Sequence, residues 1–99
     1  MKLRKVIWSE RAKQSLKAHF DKIKKDSPKA ANKIKNEIIE ASRHLNVFPE
    51  KFQLDEFYPK NPGNIRRFFK WSYRIVYQIN ENSIDILNVI HTSQEPIQK

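Results

Sequence analysis

Hydrophobic and polar positions follow three different spacings along this 99-residue chain, and each spacing predicts a different element. Residues 3–8 form a short β-prone run that stops at Ser9. Ser9 is a good helix N-cap, and Glu10 sits in the first turn, where negative charge is favoured. From there Ala12, Leu16, Phe20 and Ile23 recur every three or four residues among lysines, which predicts an amphipathic helix. Asp26-Ser27-Pro28 breaks that pattern and restarts it, because Ser27 can cap and Pro28 suits a first helical position. The second helix is the clearest: Ala31, Ile34, Ile38, Ala41, Leu45 and Phe48 lie three or four apart, and Pro49 ends the run. So short a break predicts an antiparallel helical pair sharing one apolar seam. A coiled-coil dimer is disfavoured because the stripe is short and rich in alanine.

After Pro49 the period changes. Residues 50–64 are irregular, with Phe52, Phe57 and Tyr58, the acids Asp55 and Glu56, and the turn Asn61-Pro62-Gly63-Asn64. Gly63 is the only glycine in the chain and suits the positive-φ position of a type II turn. A loop of this length in so small a chain is expected to be pinned by its aromatics. Three strand-like runs follow, from Ile65 to His91, with very short connections at Ser72 and at Asn80-Glu81-Asn82. In the middle run Tyr73, Ile75, Tyr77 and Ile79 share the face expected to meet the helices. Arg74, Val76 and Gln78 share the other face, which is half polar and able to meet a ligand. The last run, Ile84–His91, is apolar on both faces, as a central strand should be. The predicted fold is α+β: one domain over residues 1–99, with an N-terminal strand and an antiparallel helical hairpin packed on one face of a small, mainly antiparallel sheet.

Charge adds a second layer. The formal net charge is +9, with 13 Lys/Arg against 5 Asp/Glu in residues 1–49 and 7 against 6 in residues 50–99. The excess therefore belongs to the helical half, where it attracts nucleic acid, ribosomes or an acidic protein, or simply solvates the surface. Cysteine is absent, which excludes disulfides and thiolate chemistry and fits a reducing compartment. At this length roughly 65% of the unfolded surface can be buried without metal or disulfide support. No apolar run approaches a membrane span, and Lys2, Arg4 and Lys5 lead only into Val6-Ile7-Trp8, not a signal-peptide core. The expected location is the cytoplasm, with no membrane partner.

Signatures of common chemistry are missing: no glycine-rich phosphate loop, no His/Cys metal spacing and no nucleophile elbow, so no cofactor or metal is expected. His19 and His44 fall in the basic helices, where a surface or seam role is expected, whereas His91 ends the central strand and is a candidate proton-transfer group. The sharper candidates are Arg66, Arg67, Lys70 and Arg74 in the first hairpin. Arg66 and Lys70 share one face of their strand and Arg67 takes the other. Such a cluster could bind RNA phosphates and stabilise charge at a scissile one, or anchor a partner's carboxylates. It could equally pair internally with Asp55, Glu56 or Asp85. Trp71 and Tyr73 flank the turn beside these cations, where exposed rings would suit base stacking but packing is the commoner use.

Taken in order, these pieces resemble the RelE/ParE-type toxins of bacterial type II toxin–antitoxin systems, also known as plasmid stabilisation proteins. The resemblance rests on Trp8-Ser9-Glu10-Arg11-Ala12, Ser27-Pro28-Lys29-Ala30-Ala31, Phe48-Pro49, Ile65-Arg66-Arg67, Ser72-Tyr73-Arg74-Ile75-Val76-Tyr77 and a last strand ending Val-Ile-His. It spans nearly the whole chain. It implies a toxin silenced by a cognate acidic antitoxin in a hetero-oligomer. RelE-like members cleave messenger RNA on the ribosome, and ParE-like members poison DNA gyrase. A RelE-like mechanism would use Arg74, Arg66, Lys70 and perhaps His91. Gln94, however, stands where many relatives have arginine, and no tyrosine follows Tyr77. A neutral amide cannot replace a guanidinium, and the C-terminal acid/base group is missing. The resemblance is therefore ParE-like more than RelE-like, with a degenerate, non-toxic member as a further alternative; whether the chain is an enzyme stays open.

Overall fold

Ser9 starts the helical half as its position predicts. In the computed structural model, which describes residues 3–94, its side chain accepts a hydrogen bond from the Ala12 N–H at the start of α1 (Glu10–Lys24). Ser27 does the same for Ala30 at the start of α2 (Pro28–Arg43), with Pro28 in its first turn. Before the helices lies β1 (Lys5–Trp8); after them come β2 (Ile65–Lys70), β3 (Tyr73–Ile79) and β4 (Ser83–His91). The sheet order is β1-β4-β3-β2, so β4 is central; β1 runs parallel to it and the other pairs are antiparallel.

The core lies between this sheet and the helical pair. Ala12, Leu16, Ile38 and Leu45 pack with Phe68, Tyr73, Ile75, Tyr77, Ile84, Ile86 and Val89, so the predicted core face of β3 is the one the helices cover. Polar contacts reinforce α1 on β4. Ser9 donates to the Leu87 carbonyl at 3.2 Å, Ser15 to Asn88 Oδ1 at 2.7 Å, and His19 Nε2 lies 2.8 Å from the Val89 carbonyl. These contacts cluster where the β3–β4 register shifts between Val76 and Tyr77, leaving Leu87 as the extra residue of a bulge. Without the bulge, simple alternation along the last strand would put Val89 on the face opposite Ile84 and Ile86. The bulge turns it onto the same core face as those two.

Phe48 is a second correction. It was expected to close the apolar stripe of the second helix, yet α2 ends at Arg43, continues as one turn of 3-10 helix at His44–Asn46, and leaves Phe48 63% exposed. The reason is local: a residue before proline is pushed out of the helical region, and Phe48 has φ −147° and ψ 69° ahead of Pro49. Buried Pro49 then accepts a 2.6 Å hydrogen bond from the Tyr77 hydroxyl, which anchors the chain as it leaves the helices.

Residues 50–64 wrap the outer edge of β2 like a strap. Phe52 packs its ring on Phe68 at 5.4 Å on the helix side. The strap then runs alongside β2, where Leu54 bridges to Arg66, the Asp55 N–H reaches the Ile65 carbonyl and the Arg67 N–H reaches the Gln53 carbonyl. Asp55 and Phe57 end on the opposite face, against Arg74. Asn61 closes the strap by donating to the carbonyls of Asp55 and Ile65, and Gly63 takes the expected positive φ of 106°. The predicted pinning is present, but charge does as much of it as the aromatic rings.

Candidate functional site

The register of β2 and β3 divides the four candidate cations between two faces. Arg66 lies opposite Tyr77 and Lys70 opposite Tyr73, on the helix face; Arg67 lies opposite Val76, on the face that carries Arg74. Each one meets an internal acceptor. Arg66 donates to the carbonyls of Phe52, at 2.5 Å, and Glu50, at 3.3 Å. Lys70 lies 3.8 Å from Glu37 on α2. Arg67 makes a forked contact with Glu56, 3.0 Å to each oxygen, and a third hydrogen bond to Gln53. That fork holds the Glu56 carboxyl below the usual glutamate range, because an ionised acceptor is what the guanidinium stabilises.

Arg74 is the main correction. It was expected to stand out from the sheet towards a ligand, yet only 4% of it is exposed. Its guanidinium is bonded to the carboxylate of Asp55, itself buried, and lies 4.7 Å from the centroid of the Phe57 ring. Of the acids named as possible internal partners, Asp55 and Glu56 take the role, and Asp85 instead accepts from Asn80. Any contact between Arg74 and an outside anion would first require the strap to lift away. The geometry brings Arg66, Arg67, Lys70 and Arg74 together as anchors for residues 50–64 and α2, not as one cationic cleft.

The histidines are no closer to a reactive arrangement. His91 stands edge-on to Tyr73 at 5.1 Å, with Nδ1 2.7 Å from Ser93 Oγ. His19 is a seam residue on β4 and Tyr73, and His44 pairs with Glu40 at the surface. Burial raises the Tyr73 hydroxyl above the usual tyrosine range and pushes Tyr77 up to about 12, so neither is disposed to give up a proton. Among the described residues, no group of three or more His, Cys, Asp or Glu side chains could hold a metal ion. No described helix is long and apolar enough to cross a membrane.

A different feature is open to partners. A groove of about 540 Å³ runs between α1, α2 and β1, floored by Trp8, Leu16, Phe20 and Ile39 and rimmed by Lys13, Lys35 and the Lys17–Asp21 ion pair, 3.0 Å apart. Phe20 lies beneath the ammonium groups of Lys35, at 5.2 Å, and Lys24, at 6.0 Å. Sequence periodicity assigned Leu16 and Phe20 to the helical seam and gave no sign of a groove. The signal was an apolar stripe wider than two helices can close, extended by Trp8 and Ile39. An apolar floor with a cationic rim suits an amphipathic acidic segment.

Comparison with known proteins is decisive at family level. The family model for the ParE toxin of the type II toxin–antitoxin system, parDE, matches residues 6–96. The chain belongs to the ParE toxin family. A solved chain described as the chromosomal ParDE TA system from P. aeruginosa has the same fold, with a TM-score of 0.73 at 18% identity over 90% of this chain and 96% of that one. No curated protein matches by sequence at a significant level. The ParE assignment agrees with the resemblance drawn from Ser27-Pro28, Phe48-Pro49 and the Tyr73–Tyr77 strand, and with its ParE-like leaning.

Proposed function

We propose that this ParE-family toxin arrests growth by binding DNA gyrase in the cytoplasm, and that an acidic antitoxin silences it within a toxin–antitoxin hetero-oligomer. One observation carries the choice of binding over catalysis: the Arg74 guanidinium is sealed by Asp55 under Phe57. A ribonuclease of the RelE kind needs that charge at a scissile phosphate, whereas a binding poison can use it as a strut. Gln94, a neutral amide where the resemblance has an arginine, points the same way. For the antitoxin, the groove over Trp8, Leu16, Phe20 and Ile39 is the docking site, and Lys13 and Lys35 on its rim supply the complementary charge, Lys17 being paired with Asp21. The test is a supercoiling assay with purified gyrase, run beside a ribosome-bound messenger RNA cleavage assay. The toxin should stop supercoiling in proportion to its concentration, antitoxin should restore it, and the message should stay intact. Cleaved message with normal supercoiling would reverse the assignment in favour of the RelE-like reaction.

A further inference from the structure

The turn between β2 and β3 adopts a conformation that its residues do not favour. Lys70 pairs with Tyr73, so Trp71 and Ser72 alone make the connection. Trp71 has a φ of 56°, in the left-handed region, while Ser72 has no positive φ. A positive φ at the first central residue alone is the arrangement in which hairpins use glycine. A bulky aromatic is an outlier there. Trp71 recovers little burial in exchange, since 53% of it is exposed. Its position is nevertheless defined: the Thr92 N–H holds the Ser72 carbonyl at 2.8 Å, and the Lys33 ammonium lies 5.5 Å from the indole centroid. Two residues earlier Phe69 is 49% exposed, with the Arg67 guanidinium 4.8 Å from its ring. The hairpin end therefore displays two half-exposed aromatics, each with a cation against its ring.

We propose that this hairpin end, centred on Trp71, is the surface with which the toxin grips its protein target, the indole entering an apolar recess whose rim carries carboxylates. This rests on the gyrase-binding reading above and deepens it by naming the contact. Backbone strain kept at a residue that stays half exposed marks a functional position, and Trp is among the residues that dominate protein–protein binding energy. Local charge favours a protein over a nucleic acid. Lys70 lies near Glu37 and Arg67 is bonded to Glu56, so the cations that a run of phosphates would need are already matched internally, whereas burial of an aromatic ring in a protein recess does not call on them. A carboxylate-rimmed recess needs only the Lys33 ammonium beside the ring to find complementary charge. The groove between the helices and β1 draws no lining residue from β2 or β3, so contact with the target and contact with the antitoxin are separable by mutation.

The experiment compares the wild-type toxin with Trp71→Gly. Glycine accepts the positive φ, so the variant should melt at the same temperature as wild type or higher. It should bind antitoxin as tightly, yet inhibit gyrase supercoiling about 30-fold less well, the size of a hot-spot truncation. Equal inhibition by a folded Trp71→Gly protein would overturn the hairpin contact and leave the gyrase reading standing. Inhibition by neither protein would overturn both. Wild-type binding to a fluorescent single-stranded oligonucleotide that Trp71→Gly abolishes, with gyrase inhibition unchanged, would assign the hairpin to nucleic acid and also refute the proposal.

Discussion

Arg74 and Asp55 form a buried pair that neither residue could occupy alone, and its energetics follow from what each would leave behind. Removing Asp55 strands a guanidinium in the interior, so Asp55→Ala should cost about 3–5 kcal/mol in a urea unfolding experiment. Replacing both at once, Arg74→Met with Asp55→Leu, removes the desolvation penalty with the pair and should cost far less. A small loss for Asp55→Ala alone would mean that water reaches the guanidinium. Tyr77 offers a pH signature of the same interior. Burial raises its hydroxyl pKa to about 12 from the ordinary 10.0, so the folded state holds the proton after the unfolded state has released it. Stability should therefore fall as pH rises between those values, by up to about 2–3 kcal/mol. Tyr77→Phe should remove that slope in a pH series of unfolding curves, at a cost of about 1 kcal/mol for the lost bond to the Pro49 carbonyl. Sequence placed Arg74 correctly on the face opposite the helices and named Asp55 among three possible partners. The choice among them was not legible, because it depends on where an irregular 15-residue segment runs in space.

That segment is the element on which the reading turns. The strap is held by side chains projecting from both faces of the sheet, so loosening it should not melt the sheet. Arg66→Ala removes the donor to the Glu50 and Phe52 carbonyls. Hydrogen exchange should then quicken across residues 50–64 while β3 and β4 stay protected; uniform loss of protection would show that the strap and sheet unfold together. Acid should act on the same element. The Glu56 carboxyl is lowered from 4.5 by the Arg67 hydrogen bond, so its contribution is present above that pH and disappears as the pH falls through the lowered value. The helices, their caps, the turn at Gly63 and the core face of β3 were legible because each is set by local periodicity or a local conformational preference. The bulge at Leu87 was not, since it is a property of the β3–β4 pairing and of the polar contacts from Ser9, Ser15 and His19. Phe48 could have been read correctly: the restriction before Pro49 outranks the helical spacing that seemed to include it.

For the whole molecule, the excess positive charge lies on the half that carries the groove, while the sheet's cations are matched by internal acceptors. Reversing the rim with Lys13→Glu and Lys35→Glu should slow association with the antitoxin by about tenfold or more at low salt, with the gap closing as salt is added. A salt-independent association rate in wild type would argue against steering by this rim. The groove escaped sequence reading because three separate elements build it, whereas the family order was legible along the single chain. The central claim is that Arg74 supports the fold and performs no chemistry on a target. Its most direct test is the gyrase supercoiling assay with the Arg74→Met, Asp55→Leu protein, folded by circular dichroism and competent to bind antitoxin. Inhibition within about threefold of wild type is expected, since that is less than 1 kcal/mol. A folded, antitoxin-binding variant without inhibition would contradict the claim.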